Sequence, residues 1–156
     1  MSSPQCFEES LRWVLEREGV RWDAKGTLIN TGLNDRPEDP GGLTKFGIAQ
    51  RYHPDVDVRN LTLAGATEIY RREYWDAFKC DTFSDPWALF VFDSAVQHSP
   101  ARVVDFEKEN SVCAAIADRA AYYQTLPHFP TDGAGWLRRL ALLRVRLLGV
   151  YGVDCT

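Results

Sequence analysis

Between Val20 and Gly47 the chain sets Gly26, Gly32, Gly41, Gly42 and Gly47 among Pro37, Pro40 and a scatter of Asn and Asp. Glycine gives up the most backbone freedom in a helix, and proline removes a donor and clashes with the preceding turn. No helical period survives that density of breakers, so the stretch folds as loop and short strand. Thr27-Leu28-Ile29 reads as part of a small hairpin. A loop-rich segment of this length inside a compact domain usually carries function.

The flanking segments have the opposite character. Residues from about Pro4 to Glu18 read as a helix, with Ser3 as N-cap, Pro4 in the first turn, Glu8 and Glu9 at the positive end and Gly19 closing it. Phe7, Leu11, Val14 and Leu15 form one apolar stripe. Further on, Thr44 is expected to cap a short helix to about Arg51, and Thr62 a second one ending near Phe78. Trp87 to Val96 is apolar nearly all round and reads as a buried central helix. Helices are also expected from about Ser111 to Leu126 and from about Ala134 to Leu148, separated by Pro127, Pro130 and Gly133. The fold class expected is mainly α (α+β), a helical domain with a small irregular or β lobe near the N-terminus.

With 156 residues there is room for one compact domain, residues 1–156. Eighteen Lys and Arg against 22 Asp and Glu leave a net charge of −4, which argues against nucleic acid as a partner. Yet Arg138, Arg139, Arg144 and Arg146 stand together with no acid among them, either a solvated helix face or an attraction for an anionic polymer. No apolar run of transmembrane length occurs, so no stable membrane insertion is expected. The N-terminus lacks a basic start and apolar stretch, pointing to synthesis in the cytoplasm without a signal peptide. Cys6, Cys80, Cys113 and Cys155 have no metal-ligand spacing, so no metal or other cofactor is expected. Reduced core thiols are the default, with a Cys6–Cys155 bridge open to a chain that matures outside the cell.

Chemistry concentrates at the end of the first helix. Glu18 lies eleven residues after Phe7, a rotation of roughly 1100°, which returns it to within about 20° of the apolar stripe. Glu9 and Glu16 point about 160–180° away, to solvent. Desolvation and the negative end of the helix dipole both favour the protonated form of a carboxyl so placed, as a general acid requires. Pairing with Arg21 would act in the opposite sense. Downstream, Asp39-Pro40-Gly41-Gly42-Leu43-Thr44 presents a carboxylate and a hydroxyl from one tight turn, the second group a glycosidase needs, although a plain turn with a capping threonine reads equally well.

Glu18-Gly19 followed by Asp-Pro-Gly-Gly-x-Thr-x-x-Gly-Ile resembles the glycoside hydrolase family 108 lysozymes of phage endolysins, which read E-G-G-Y and then D-P-x-D-P-G-G-x-T-x-x-G-I. Ile69-Tyr70-Arg71-Arg72-Glu73-Tyr74-Trp75-Asp76 and Phe92-Asp93-Ser94-Ala95-Val96-Gln97 resemble two further family segments. Tyr122 to Leu126 and Gly135 to Arg139 resemble its C-terminal helices, and residues of about 111–150 would then form a peptidoglycan-binding part. The resemblance implies a lysozyme-like fold, a peptidoglycan glycan strand as partner, a monomer, and cleavage between N-acetylmuramic acid and N-acetylglucosamine during cell lysis. It implies Glu18 as catalytic acid, with Asp39 and Thr44 positioning water. Departures are Val20-Arg21-Trp22 in place of Gly-Tyr, a longer loop before Asp39, and Gln97-His98-Ser99-Pro100 where Asn-Ser-Gly is common. The long loop leaves Asp35 or Asp23 open as the second carboxylate.

Gln97, Tyr74 and His98 complete the expected site as substrate contacts, Gln97 through its amide. Against these roles stand core packing for the Tyr70, Tyr74, Trp75 and Phe78 cluster and a plain surface position for His98. Asp93 in an apolar helix is expected to be paired. Two other functions fit the same residues. One is a lytic transglycosylase, which cuts the same bond with one carboxylate; the other is a non-catalytic wall-binding or phage structural protein on a lysozyme scaffold.

Overall fold

The computed structural model describes residues 1–36, 38 and 42–156. It divides into two compact units, Phe7–Glu73 and Met1–Cys6 with Tyr74–Thr156.

The Phe7–Glu73 unit begins on helix α1, Cys6–Arg17. Phe7, Leu11, Val14 and Leu15 are all buried, as their spacing predicts. The helix starts two residues later than expected, because Pro4 and Gln5 form a turn in which Cys6 N–H donates to the Ser3 carbonyl. The Ser3 N–H itself donates to the Asp85 carboxylate at 2.6 Å. At the other end Glu18 N–H still reaches the Val14 and Leu15 carbonyls, and Gly19 turns the chain out at φ +86°.

Strands β1 (Val20–Trp22) and β2 (Leu28–Thr31) then pair antiparallel. Asp23 Oδ1 accepts from Lys25 N–H and Thr27 N–H at 2.9 and 2.8 Å, organising the connecting turn. A second hairpin follows, β3 (Thr44–Lys45) with β4 (Ile48–Ala49), where a helix from Thr44 to about Arg51 was expected. Two facts decide against the helix. Thr44 exchanges both main-chain hydrogen bonds with Asn34 at 2.9 Å instead of capping. Phe46 and Gly47 take φ of +53° and +76°, the pair of positive values a tight type I′ turn requires. The Phe46 ring is nonetheless buried. Helix α2, Leu63–Tyr70, is capped by Thr62 Oγ1 accepting from Gly65 N–H, and runs on into a π-helical turn, Arg71–Asp76.

In the second unit, α3 (Asp85–Gln97) is the buried central helix, with residues 88–95 all buried. It packs against α4 (Pro100–Phe106), α5 (Val112–Gln124) and α6 (Phe129–Tyr151). Helix α4 was not foreseen. Helix α6 starts five residues before the expected Ala134, because Pro130 is accommodated in its first turn and Gly133 lets the Phe129 ring lie on the helix. Asp93 is paired as expected. Its Oδ2 accepts from Arg119 Nη1 and its Oδ1 from Arg139 Nε and Nη2, at 2.7–2.9 Å, tying α3 to α5 and α6.

The expectation of reduced core thiols holds for Cys6 and Cys80 but not for Cys113 and Cys155. Cys113 is bonded to Cys155, while Cys6 and Cys80 are buried free thiols, so the Cys6–Cys155 pairing is not formed. The partners lie 42 residues apart, and only the return of the C-terminal tail over α5 brings them together.

Candidate active site

Glu18 is half-buried at the end of α1, and glycines meet it on two sides. A Cβ on Gly32 would stand 2.7 Å from the Glu18 carbonyl oxygen. A Cβ on Gly47 would stand 2.8 Å from Glu18 Cγ and 2.4 Å from the Tyr70 hydroxyl. Neither position can hold a side chain without displacing its neighbours. The hairpin that carries Thr44 is therefore seated against the acid through the bare edge of its own turn.

That hairpin is fixed independently. Phe46 N–H donates to the Thr31 carbonyl at 2.8 Å, and the Tyr70 hydroxyl donates to the Phe46 carbonyl at 2.9 Å, a buried bond from α2 into the turn. Thr44 Oγ1 lies 3.3 Å from the Gly42 carbonyl, so the threonine also closes the end of the glycine-rich loop. Asp39 lies outside the described residues.

Asp23 and Asp35, the alternatives for the second carboxylate, have separate engagements. Asp23 organises the β1–β2 turn, and the exposed Asp35 pairs with Arg59 at 2.6 Å. Arg21 Nη1 donates to the Glu16 and Val20 carbonyls at 2.6 and 2.7 Å. Beside β4, His53 Nε2 meets Glu73 Oε2 at 2.9 Å and Nδ1 meets the Ala49 carbonyl at 3.2 Å. Burial works against the Glu73 anion, but the hydrogen bonds from Arg72 and His53 hold its carboxyl below the ordinary range.

Tyr74, Gln97 and His98 belong to the other unit. Tyr74 is half-buried in the π-helical turn and Gln97, the last residue of α3, is exposed. His98 packs among Phe106, Tyr122 and Tyr123, with ring centroids 5.4–5.7 Å away. Burial and the charge of Arg119 push its pKa down to about 3.

Sequence reasoning missed Gly32 and Tyr70 as supports of this site, and gave Gly47 no role beyond its place in the glycine-rich string. Tyr70 sits on the apolar period of α2, which marks it as core. Its hydroxyl becomes informative only when the Phe46 carbonyl is known to lie above it. No group of three or more His, Cys, Asp or Glu able to hold a metal occurs among the described residues.

The mainly α, lysozyme-like fold sets the carboxyl at the end of its first helix against a glycine-bearing hairpin turn, and the family it matches makes this chain a glycoside hydrolase. Residues 11–98, more than half of the chain, match the model of the family described as Glycosyl hydrolase 108, and the chain belongs to that family. Among solved structures it is similar to Brucella abortus SagA, with a TM-score of 0.70 and 25% identity, over 94% of this chain and 96% of that one. No curated protein matches it.

Proposed function

We propose that this glycoside hydrolase cleaves peptidoglycan between N-acetylmuramic acid and N-acetylglucosamine, as a phage endolysin-type muramidase that causes bacterial lysis. Glu18, in its protonated form, gives its proton to the leaving glycosidic oxygen. Asp39 takes a proton from the attacking water on the opposite face of the sugar, and Thr44 orients that water. Carboxyls about 6.5–9.5 Å apart would leave room for the water and give inversion. Gln97 and Tyr74 contact the saccharide.

The observation that carries this reading is the fit of Glu18 against the Gly47 turn of the hairpin that bears Thr44. A carboxyl held on a rigid support, half out of water, suits proton donation to a weakly basic ether oxygen.

Turbidity of outer-membrane-permeabilised cells tests it. The wild-type protein clears the suspension, and Glu18→Gln, which keeps shape and loses the proton, clears it about a hundredfold more slowly or worse. Equal clearing by both, or by neither, overturns the assignment. Products with reducing muramic ends support hydrolysis, whereas anhydro-muramic ends would make the enzyme a lytic transglycosylase.

A further inference from the structure

Helix α6 is a 23-residue element with one face fully committed to the fold. Gly133, Leu140, Leu143 and Leu147 are buried against the rest of its unit. The opposite face should be polar in a helix that merely covers a core. It is aliphatic instead: Leu142, Val145 and Leu148, within an arc of about 120° at about 100° per residue, are exposed there, Val145 by 69% and Leu148 by 52%. Two shallow grooves of about 210 and 280 Å³ run beside this face, and Ala141, Arg144 and Cys155 line both.

Charge on the helix is equally one-sided. No acid occurs between Asp132 and Asp154, although the whole chain is net negative by four. Arg138 is exposed on the outer side, and Arg144 is exposed at its margin, where its Nη2 meets a neutral acceptor, the Cys155 carbonyl. Asp154 is the one carboxylate lining either groove.

We propose that the outer face of α6 docks the protein reversibly on an anionic phospholipid surface, Val145 and Leu148 entering the headgroup–acyl boundary while Arg138 and Arg144 meet lipid phosphates. Aliphatic side chains flanked by arginines are the composition of an interfacial helix. A glycan strand is a poor match for this face, since sugars are held by hydroxyl-directed hydrogen bonds and aromatic faces, and the exposed side chains here are aliphatic. A second copy is also a poor match, because between Asp132 and Asp154 the helix carries no acid to pair with the arginines of another copy. No described helix is long and apolar enough to cross a membrane, so the contact is peripheral.

Flotation with lipid vesicles tests the proposal, using the full chain. The wild type is expected to float with vesicles of phosphatidylglycerol and phosphatidylcholine in equal parts, and to remain behind with phosphatidylcholine alone. Raising salt from about 0.1 M to about 1 M, which shortens screening from about 10 Å to about 3 Å, should weaken that binding. Val145→Asp with Leu148→Asp should abolish flotation while melting temperature and hydrolysis of soluble peptidoglycan fragments stay at wild-type values. Arg138→Glu, which leaves the apolar face intact, should weaken binding about tenfold or more, and keeps the test valid if the double variant fails to fold. Failure of the wild type to float with either vesicle, or undiminished flotation of both variants, overturns the proposal. So does a wild-type dimer in sedimentation that the double variant converts to monomer without any vesicle binding, since the occupant is then a second copy. Hydrolysis of soluble fragments is read separately, so loss of lipid binding and loss of the muramidase assignment remain distinguishable.

Discussion

Gly47 lies so close to Glu18 that a single methyl group on its Cα would come within 2.8 Å of the acid's Cγ. Gly26 provides a matched control, since its φ of +82° resembles the +76° of Gly47 but nothing lies within 4 Å of where its Cβ would be. Alanine at either position carries the left-handed backbone penalty of about 1–2 kcal/mol. Only Gly47→Ala also displaces Glu18 and Tyr70. Gly26→Ala is therefore expected to lower the melting temperature with little change in kcat, whereas Gly47→Ala lowers both. Steady-state hydrolysis and thermal melts of the two variants, measured together, check this; equal kcat would show that the turn does not position the acid.

Tyr70→Phe removes one donor and leaves the buried Phe46 carbonyl without that hydrogen bond. A cost of about 1–3 kcal/mol is expected from the unsatisfied acceptor. Because that bond anchors the turn under Glu18, kcat should fall while KM changes little. Urea denaturation and initial rates distinguish this outcome from a purely global loss of stability.

Asp93 is wholly buried between two guanidinium groups. Burial alone would push its carboxyl up, but Arg139 and Arg119 hold it below the ordinary range. Its stabilising contribution is thus present above the unfolded-state value and is lost as pH falls through the lower folded one. Asp93→Asn leaves two buried or half-buried charges uncompensated, for an expected loss of about 3–5 kcal/mol. Chemical denaturation at neutral and acidic pH should show that loss shrinking on acidification.

His98 runs in the same direction with a different origin. Its folded pKa of about 3 lies below the 6.5 of the free side chain, so the unfolded chain takes up the proton first. Stability attributable to this ring is complete above about 6.5 and declines as pH falls toward about 3. Replacing it as His98→Phe should flatten the fall in melting temperature across that window. An unchanged pH profile would contradict the buried neutral ring.

Reduction of the Cys113–Cys155 bond opens a closure 42 residues long. Chain entropy places its contribution at about 3–4 kcal/mol, so melting with and without reductant should differ by several degrees. Cys6 and Cys80, both buried, should stay unreactive to alkylating reagents until the chain unfolds. Burial pushes the Cys80 thiol well above its ordinary range, which works in the same direction.

The helices were legible because their signals are local and periodic: the Phe7–Leu15 stripe, the Thr62 and Ser111 caps, and the unbroken apolar run around Phe90. The segment Thr44–Ala49 was not, because threonine before a run containing only one glycine reads like a helix cap, and the competing partner, Asn34, is distant in sequence. Glu18 could be singled out from its angle on α1 alone. Its supports could not, since Gly32, Gly47 and Tyr70 acquire meaning only from which atoms come to rest beside them. Helix α6 was cut short by treating Pro130 as a breaker, although proline is at home in a first turn.

Phe46 occupies a left-handed backbone region that phenylalanine, as an isolated residue, rarely visits. Only the enclosure of its ring compensates for that conformation, so the turn cannot form ahead of the surroundings that enclose it. The seat of Glu18 against the Gly47 turn is consequently completed late. A chain whose Phe46 ring is not yet enclosed keeps α1 and its carboxyl but lacks the turn that meets it.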